Sequence, residues 1–551
     1  MKKLLLSIFT ITTFFQLGYS QKTYVPDDNF EAYLEANGMG DGINSNDSVT
    51  TANISGITNL NVNNQNISDL TGLEAFTSLT GLNCGGNPQL TYLDVSQNYA
   101  LVSILSRSSG LININFGTIS NIKSLDLLNN QLTSLDLTSL VQLEGTYFRD
   151  NQLTSLDVSQ NINLKNLKIE KNQISSIDIS QNTQLTYLSC WKNQITALDV
   201  SQNLLLETIS AEGNQISSLD VTMLDSLNSL YCGGNLLTSM DVTQNPLLET
   251  LICGSNQLTA LDVSQNPLLS YLICNESQLS SLNISQNPLI TYLRCNGNQI
   301  TNLDVTQNPL LETLRCDNNQ LTALDVSQNP LLSFLRCPYN QIPTLDVTML
   351  DSLTLLYCAG NLLASLDVTQ NSLLKHLKCG SNQLPTLNVT QNPVLEYLTC
   401  GYNPLTSLDV TQNINLKVLG ISSSQISNID VTQNTLLYNF GASGALLSSI
   451  DISQNLLLES LQVQGNLLTS LDISNNNLIE YLRCDGNQLN SLNVSQNPLI
   501  SYLTCNGNLL SYLNVKNGNN TNFTHLRANG NSNLYCVTVD DSNYSDTAWL
   551  N

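Results

Sequence analysis

LLETLICGSNQLTALDVSQNP, Leu247–Pro267, is 21 residues long, and close copies of it follow. Its cysteine repeats with it: Cys232, Cys253, Cys274, Cys295, Cys316, Cys337, Cys358, Cys379 and Cys400 are each 21 residues apart. A long fixed period decides architecture ahead of local propensity, because each unit must bury its apolar face against the next. The Cys position runs without insertion from Ser106 to Cys505, and its other occupants include Leu127, Phe148, Ile169, Ala211 and Val463. Such a column faces inward, and free Cys serves there as a small hydrophobe.

Each unit has two halves of similar grammar. One is L-x-x-L-x-C-x-x-N (Leu248, Leu251, Cys253, Asn256) and the other L-x-x-L-D-V-x-x-N (Leu258, Leu261, Val263, Asn266). The alternation in Leu-x-Cys and in Leu-Asp-Val predicts a short strand in each half. The Asn residues suit the turns, and the frequent Asn-Pro ends the strand. Identical stacked turns make the strands parallel and in register, which is a solenoid. In-register Cβ atoms stay ~4.8 Å apart, whereas a disulfide needs ~3.8 Å, so the thiols are expected to be reduced core residues.

L-x-x-L-x-[LC]-x-x-N resembles the core signature of leucine-rich repeats. The 21-residue form with a cysteine column resembles internalin J, a bacterial surface adhesin, and exported leucine-rich-repeat proteins of Bacteroidetes-type bacteria. The resemblance spans residues 80–530. It implies a curved, β-rich leucine-rich-repeat solenoid of parallel strands and little helix, with adhesion as its function. About 21 repeats are expected. The residues before them, 21–79, read as an N-terminal helical cap (Phe30, Tyr33 and Leu34 on one helix face) and a slightly longer first repeat. Residues 531–551 resemble the start of a C-terminal cap. Residues 1–20 have the Lys2–Lys3 start, apolar run and small residues of a cleaved secretory signal peptide, which implies a secreted or cell-surface protein.

The formal charge of −24 speaks against nucleic acid and anionic lipid as partners, and no later segment is apolar enough to enter a membrane. The position before the Val column is Asp or Asn in every repeat from Asp94 to Asn514, which reads as a solvated, aggregation-resistant face. The Cys half differs. One place before the Cys column stand Lys168, Arg294, Arg315, Arg336, Lys378, Arg483 and Arg527; three places before it stand several tyrosines. Arg and Tyr exposed on a rigid sheet are the anchors that interfaces use. The richest part is Tyr271, Tyr292, Arg294, Arg315, Phe334, Arg336 and Tyr357, where three arginines in line suit an anionic partner group. The other reading of these residues is that tyrosines suit strands and the arginines balance Glu249, Glu312, Glu396 and the Asp face.

No catalytic constellation is present: the two histidines, His376 and His525, lie seven repeats apart, and no metal or phosphate-loop motif occurs. Asp41–Asp47, DGINSND, lacks the closing residues of a calcium loop and reads as a polar turn. The expectation is therefore a monomeric, non-catalytic protein without cofactor or metal, recognising an extracellular protein or glycan through a concave Arg/Tyr face. Two other readings stay open. The chain could be a passive spacer, or its Thr/Ser–Asp face could bind cations or an ordered surface.

Overall fold

The computed structural model describes residues 20–548, so the signal-peptide reading falls almost entirely outside the described residues. They form two compact units: one runs to Leu206 and includes Gly213–Gln215, the other comprises Glu207–Glu212 and the residues from Ile216 onward. Both are parallel-strand solenoids built of leucine-rich repeats.

In the first unit the principal strands are Asn59–Asn61, Gly81–Asn83, Ser103–Leu105, Ser124–Asp126, Gly145–Tyr147, Asn166–Lys168 and Tyr187–Ser189. The second has sixteen, from Thr208–Ser210 to His525–Arg527. Within each unit, each pairs in parallel with the next, so that Leu251, Leu272 and Leu293 stand in one column. Turns thus slightly outnumber the expected repeats: the first two strands and the last stand outside the strict period, at steps of 22 and 23 residues. Thirteen cysteines are buried and reduced, as expected, and Cys536 is exposed. Burial drives the buried thiols upward, to about 12 for Cys253, Cys295, Cys337 and Cys400.

The Asp half departs from expectation. It forms strands only near the ends, at Tyr92–Asp94 with Asn113–Asn115, and at Ser491–Asn493 with Tyr512–Asn514 and Val537–Thr538. Between these, Asp262 and Asn283 make an isolated bridge. The Asp side chain turns the chain within its own repeat instead: Asp346 Oδ1 accepts from the Thr348 N–H at 2.9 Å and the Thr348 hydroxyl at 2.7 Å. The same bond follows the end strands, where the Ser96 N–H donates to Asp94 and the Ser495 N–H to Asn493. Asn388 does the same for Thr390, which explains why Asn substitutes for Asp in this column.

In most repeats two buried asparagines tie successive turns. Asn256 Nδ2 donates to the carbonyls of Cys232 and Cys253, and its Oδ1 accepts from the Leu237 N–H. Asn266 Nδ2 donates to the carbonyls of Val242 and Asn245, and its Oδ1 is buried without a partner. The second position after the Cys column has positive φ in nearly every turn, which accounts for its many Gly, Asn and Ser residues.

At the N-terminus, helix Asp28–Ala36 buries Phe30 and Leu34 and half-buries Tyr33. Phe30 stacks on Phe76 of the first turns at 6.4 Å. Asp27 caps the helix through the N–H groups of Asn29 and Phe30, and its other oxygen accepts from Ser68 and Asp69. Burial alone would raise its carboxyl, but these bonds hold it below its ordinary value. Among the described residues no helix is long and apolar enough to cross a membrane.

Candidate functional site

Short strands with buried central residues project their first and third side chains to one face. Tyr271, Tyr292, Thr313, Phe334 and Leu355 therefore form one column, and Ile273, Arg294, Arg315, Arg336 and Tyr357 the next. Leu272, Leu293, Leu314, Leu335 and Leu356 between them are buried. All seven candidate residues thus share one sheet face across five successive strands.

Their environments differ. Tyr271 and Tyr292 stack with ring centroids 4.4 Å apart. Burial, then the neighbouring Tyr292, raises the Tyr271 hydroxyl, while Arg315 and Arg294 oppose this rise. The Arg315 guanidinium lies over Phe334 at 4.8 Å, and that of Arg336 over Tyr357 at 5.5 Å. Lys378 approaches the same Tyr357 ring at 4.6 Å.

The arginines are not balanced by the acids expected from sequence. Arg294 pairs with Glu276 at 3.9 Å and donates to Asn296 at 2.9 Å; Arg336 pairs with Asp317 at 3.8 Å. These partners lie in the turns after the strands, where the guanidinium groups can reach them. Glu396 pairs with Lys417. Arg315 has no carboxylate partner among the described residues, and its Nε is buried without a hydrogen bond. The three-arginine row is therefore two locally paired cations flanking one that holds only an aromatic ring.

The column reading passed over the turn that follows each Cys position. Tyr339 occupies that turn at φ 56° and is 64% exposed, beside the Arg336 strand. A bulky residue is strained there, and only the structure reveals that the position requires positive φ. The two histidines serve as stacking partners, His376 on Tyr397 and His525 on Tyr502. At the N-terminal cap, carboxylate oxygens of Asp28, Glu31 and Asp47 lie within 4.8 Å of one another. Glu31 there accepts the N–H groups of Asn46 and Asp47, which makes it the organiser of the Asp41–Asp47 turn.

Comparison with known proteins agrees with this architecture. Residues 48–161 match the leucine-rich-repeat domain of the endo-beta-N-acetylglucosaminidase EndoS. Internalin J of Listeria monocytogenes is 35% identical over 91 residues, which are 16% of this chain and only 10% of that relative. The solved functional domain of InlJ from Listeria monocytogenes, which includes a cysteine ladder, is 28% identical. That likeness covers 78% of this chain and 82% of the other, with a TM-score of 0.54. The plant peptide hormone receptor RGFR1, solved with RGF2, has a TM-score of 0.65 at 17% identity over 84% of this chain and 90% of the receptor, a likeness of fold alone.

Proposed function

We propose that this leucine-rich-repeat protein, similar to internalin J in its cysteine ladder and repeat, is a non-catalytic binding protein that acts outside the cytoplasm. It recognises a protein or glycan surface through the sheet face bearing Tyr271, Tyr292, Arg294, Arg315, Phe334, Arg336 and Tyr357, and acts as a monomer. The observation that carries this reading is Arg315. It is a cation held over Phe334 with no carboxylate among the described residues to neutralise it, in a chain of net charge −24 where acids are plentiful. A partner that supplies an anionic group to Arg315 and apolar area to the stacked tyrosines would bury what the free face leaves exposed.

The Thr/Ser–Asp face is a weaker candidate, because one oxygen of each turn-forming Asp is already engaged within its own repeat. The test is a binding screen of residues 21–551 against extracellular proteins, mucins and glycans. It is run beside a variant with Tyr292, Arg294, Arg315, Phe334 and Arg336 replaced by serine. The expected result is a salt-sensitive partner that the folded variant binds at least about tenfold more weakly. A partner bound equally by both proteins would exclude this face, and no partner at all would favour a spacer.

A further inference from the structure

The first unit carries a second cluster, at the turn after the Cys column. Trp191 is the only tryptophan among the described residues, and it is half-buried. Three cations surround its ring: Arg149 at 5.3 Å, Lys192 at 5.4 Å and Lys171 at 5.6 Å from the centroid. Asp150 pairs with Arg149 at 3.0 Å and with Lys171 at 3.2 Å. Lys192 is exposed and has no carboxylate partner among the described residues.

This arrangement is costly for the fold. Asp150, Lys171 and Lys192 occupy three successive left-handed positions, with φ of 55°, 50° and 52°, where Gly213 follows them in the next repeat. Left-handed backbone disfavours side chains such as these, and gathering cations on one indole sets like charges against each other. Other repeats reach the same conformation with Ser255, Glu276 or Tyr402, so the backbone is common to the column, and what sets these turns apart is three cations gathered on one indole.

We infer that the Trp191 cluster is a binding site for an acidic sugar residue, a uronate or sulfated sugar carried on a polysaccharide. The flat C–H face of the sugar ring rests on the indole, and its carboxylate or sulfate lies between Lys171 and Lys192. Asp150, fixed by Arg149 and Lys171, accepts from a sugar hydroxyl. That carboxylate favours a hydroxyl-rich ligand over nucleic acid, whose successive phosphates it would repel. The site is independent of the Arg315 face, since its residues and those of that face belong to different units.

The test uses residues 21–551 with four probes of similar length: an oligogalacturonide, a sulfated oligosaccharide, a neutral oligosaccharide and a single-stranded oligonucleotide. Binding is read by calorimetry and by tryptophan fluorescence. At least one acidic oligosaccharide is expected to bind about tenfold more tightly than the neutral one, with binding weakened by salt. Lys171→Ser with Lys192→Ser, which places at these turns a residue other repeats use, is expected to lose about tenfold, as is Trp191→Leu. The variant lacking Arg294, Arg315 and Arg336 should retain this binding. The inference is overturned if neither acidic oligosaccharide binds saturably, if the lysine variant binds them as well as the parent does, or if the oligonucleotide binds as tightly.

Discussion

A residue's column does not by itself say what its side chain does. The Cys and Asp columns are both regular in the sequence, yet one fills space and the other forms turns. The Cys column could be read from its other occupants, because Leu, Ile, Val and Ala tolerate only an apolar site. The Asp column could not, since a solvated carboxylate and a turn-forming one both read as Asp with occasional Asn. The hydrogen bonds distinguish them. The hydroxyl and the N–H of Thr348 hold the Asp346 carboxyl below its ordinary value, and those of Thr306 and Thr369 do the same for Asp304 and Asp367. A lowered carboxyl stabilises the fold above its unfolded value and loses that contribution as pH falls through its folded value. Asn makes the same turn without titrating. In the variant Asp304→Asn, Asp346→Asn, Asp367→Asn, hydrogen exchange at the Thr348 amide should match the parent at pH 6. At pH 3 it should be slower than in the parent. Equal exchange at pH 3 would mean that the carboxylate charge contributes nothing to the turn.

At the scale of the repeat, the sequence correctly placed the Cys-half strand and misplaced the one in the Asp half. Both have the same Leu-x-x-Leu-x-apolar alternation, so periodicity could not separate them. Side chains bond backbone groups in both halves, and the two asparagines of a repeat do this with different completeness. Asn256 uses both ends of its amide, whereas Asn266 uses only its Nδ2. Asn256→Ala therefore strands two carbonyls and one N–H in the core, a loss of about 3 kcal/mol or more. Asn266→Ala strands nothing, because the Val242 and Asn245 carbonyls still accept the N–H groups of Asn245 and Leu248, and it removes an unpaired oxygen, so it should cost only about 1 kcal/mol. Denaturant midpoints of the two variants, fitted to the transition containing this region, should rank in that order. The reverse order would mean that the Asn266 oxygen is satisfied in solution, by a buried water for instance.

Between Ser106 and Cys505 the same 21-residue step governs both sheet pairing and the asparagine ties. Asn455 donates to the carbonyls of Val431 and Asn434, and Asn434 donates to those of Val410 and Asn413. Contacts of this kind reach only the adjoining turn, so the candidate faces owe their geometry to register rather than to any distant contact. This is why the Arg315 row could be assembled on paper from spacing alone. The Trp191 cluster could not, because its cations come from two different turn positions, Arg149 from the first and Lys171 and Lys192 from the second, in three repeats, and they meet only by side-chain reach. Register also makes a strong demand. Removing Val431–Asp451, 21 residues, joins Asp430 to Ile452 and lets Asn455 take over the two carbonyls that Asn434 held. That deletion should leave a folded protein whose melting midpoint lies within about 3 °C of the parent. Removing Val431–Ile450, one residue fewer, leaves an extra Asp before Ile452 and shifts every later side chain relative to the junction. Circular dichroism of this second protein should show an added early transition from the disrupted turns. If both deletions melt alike, stability does not depend on register at this junction, and nearest-neighbour stacking fails as the account of how the repeats hold together.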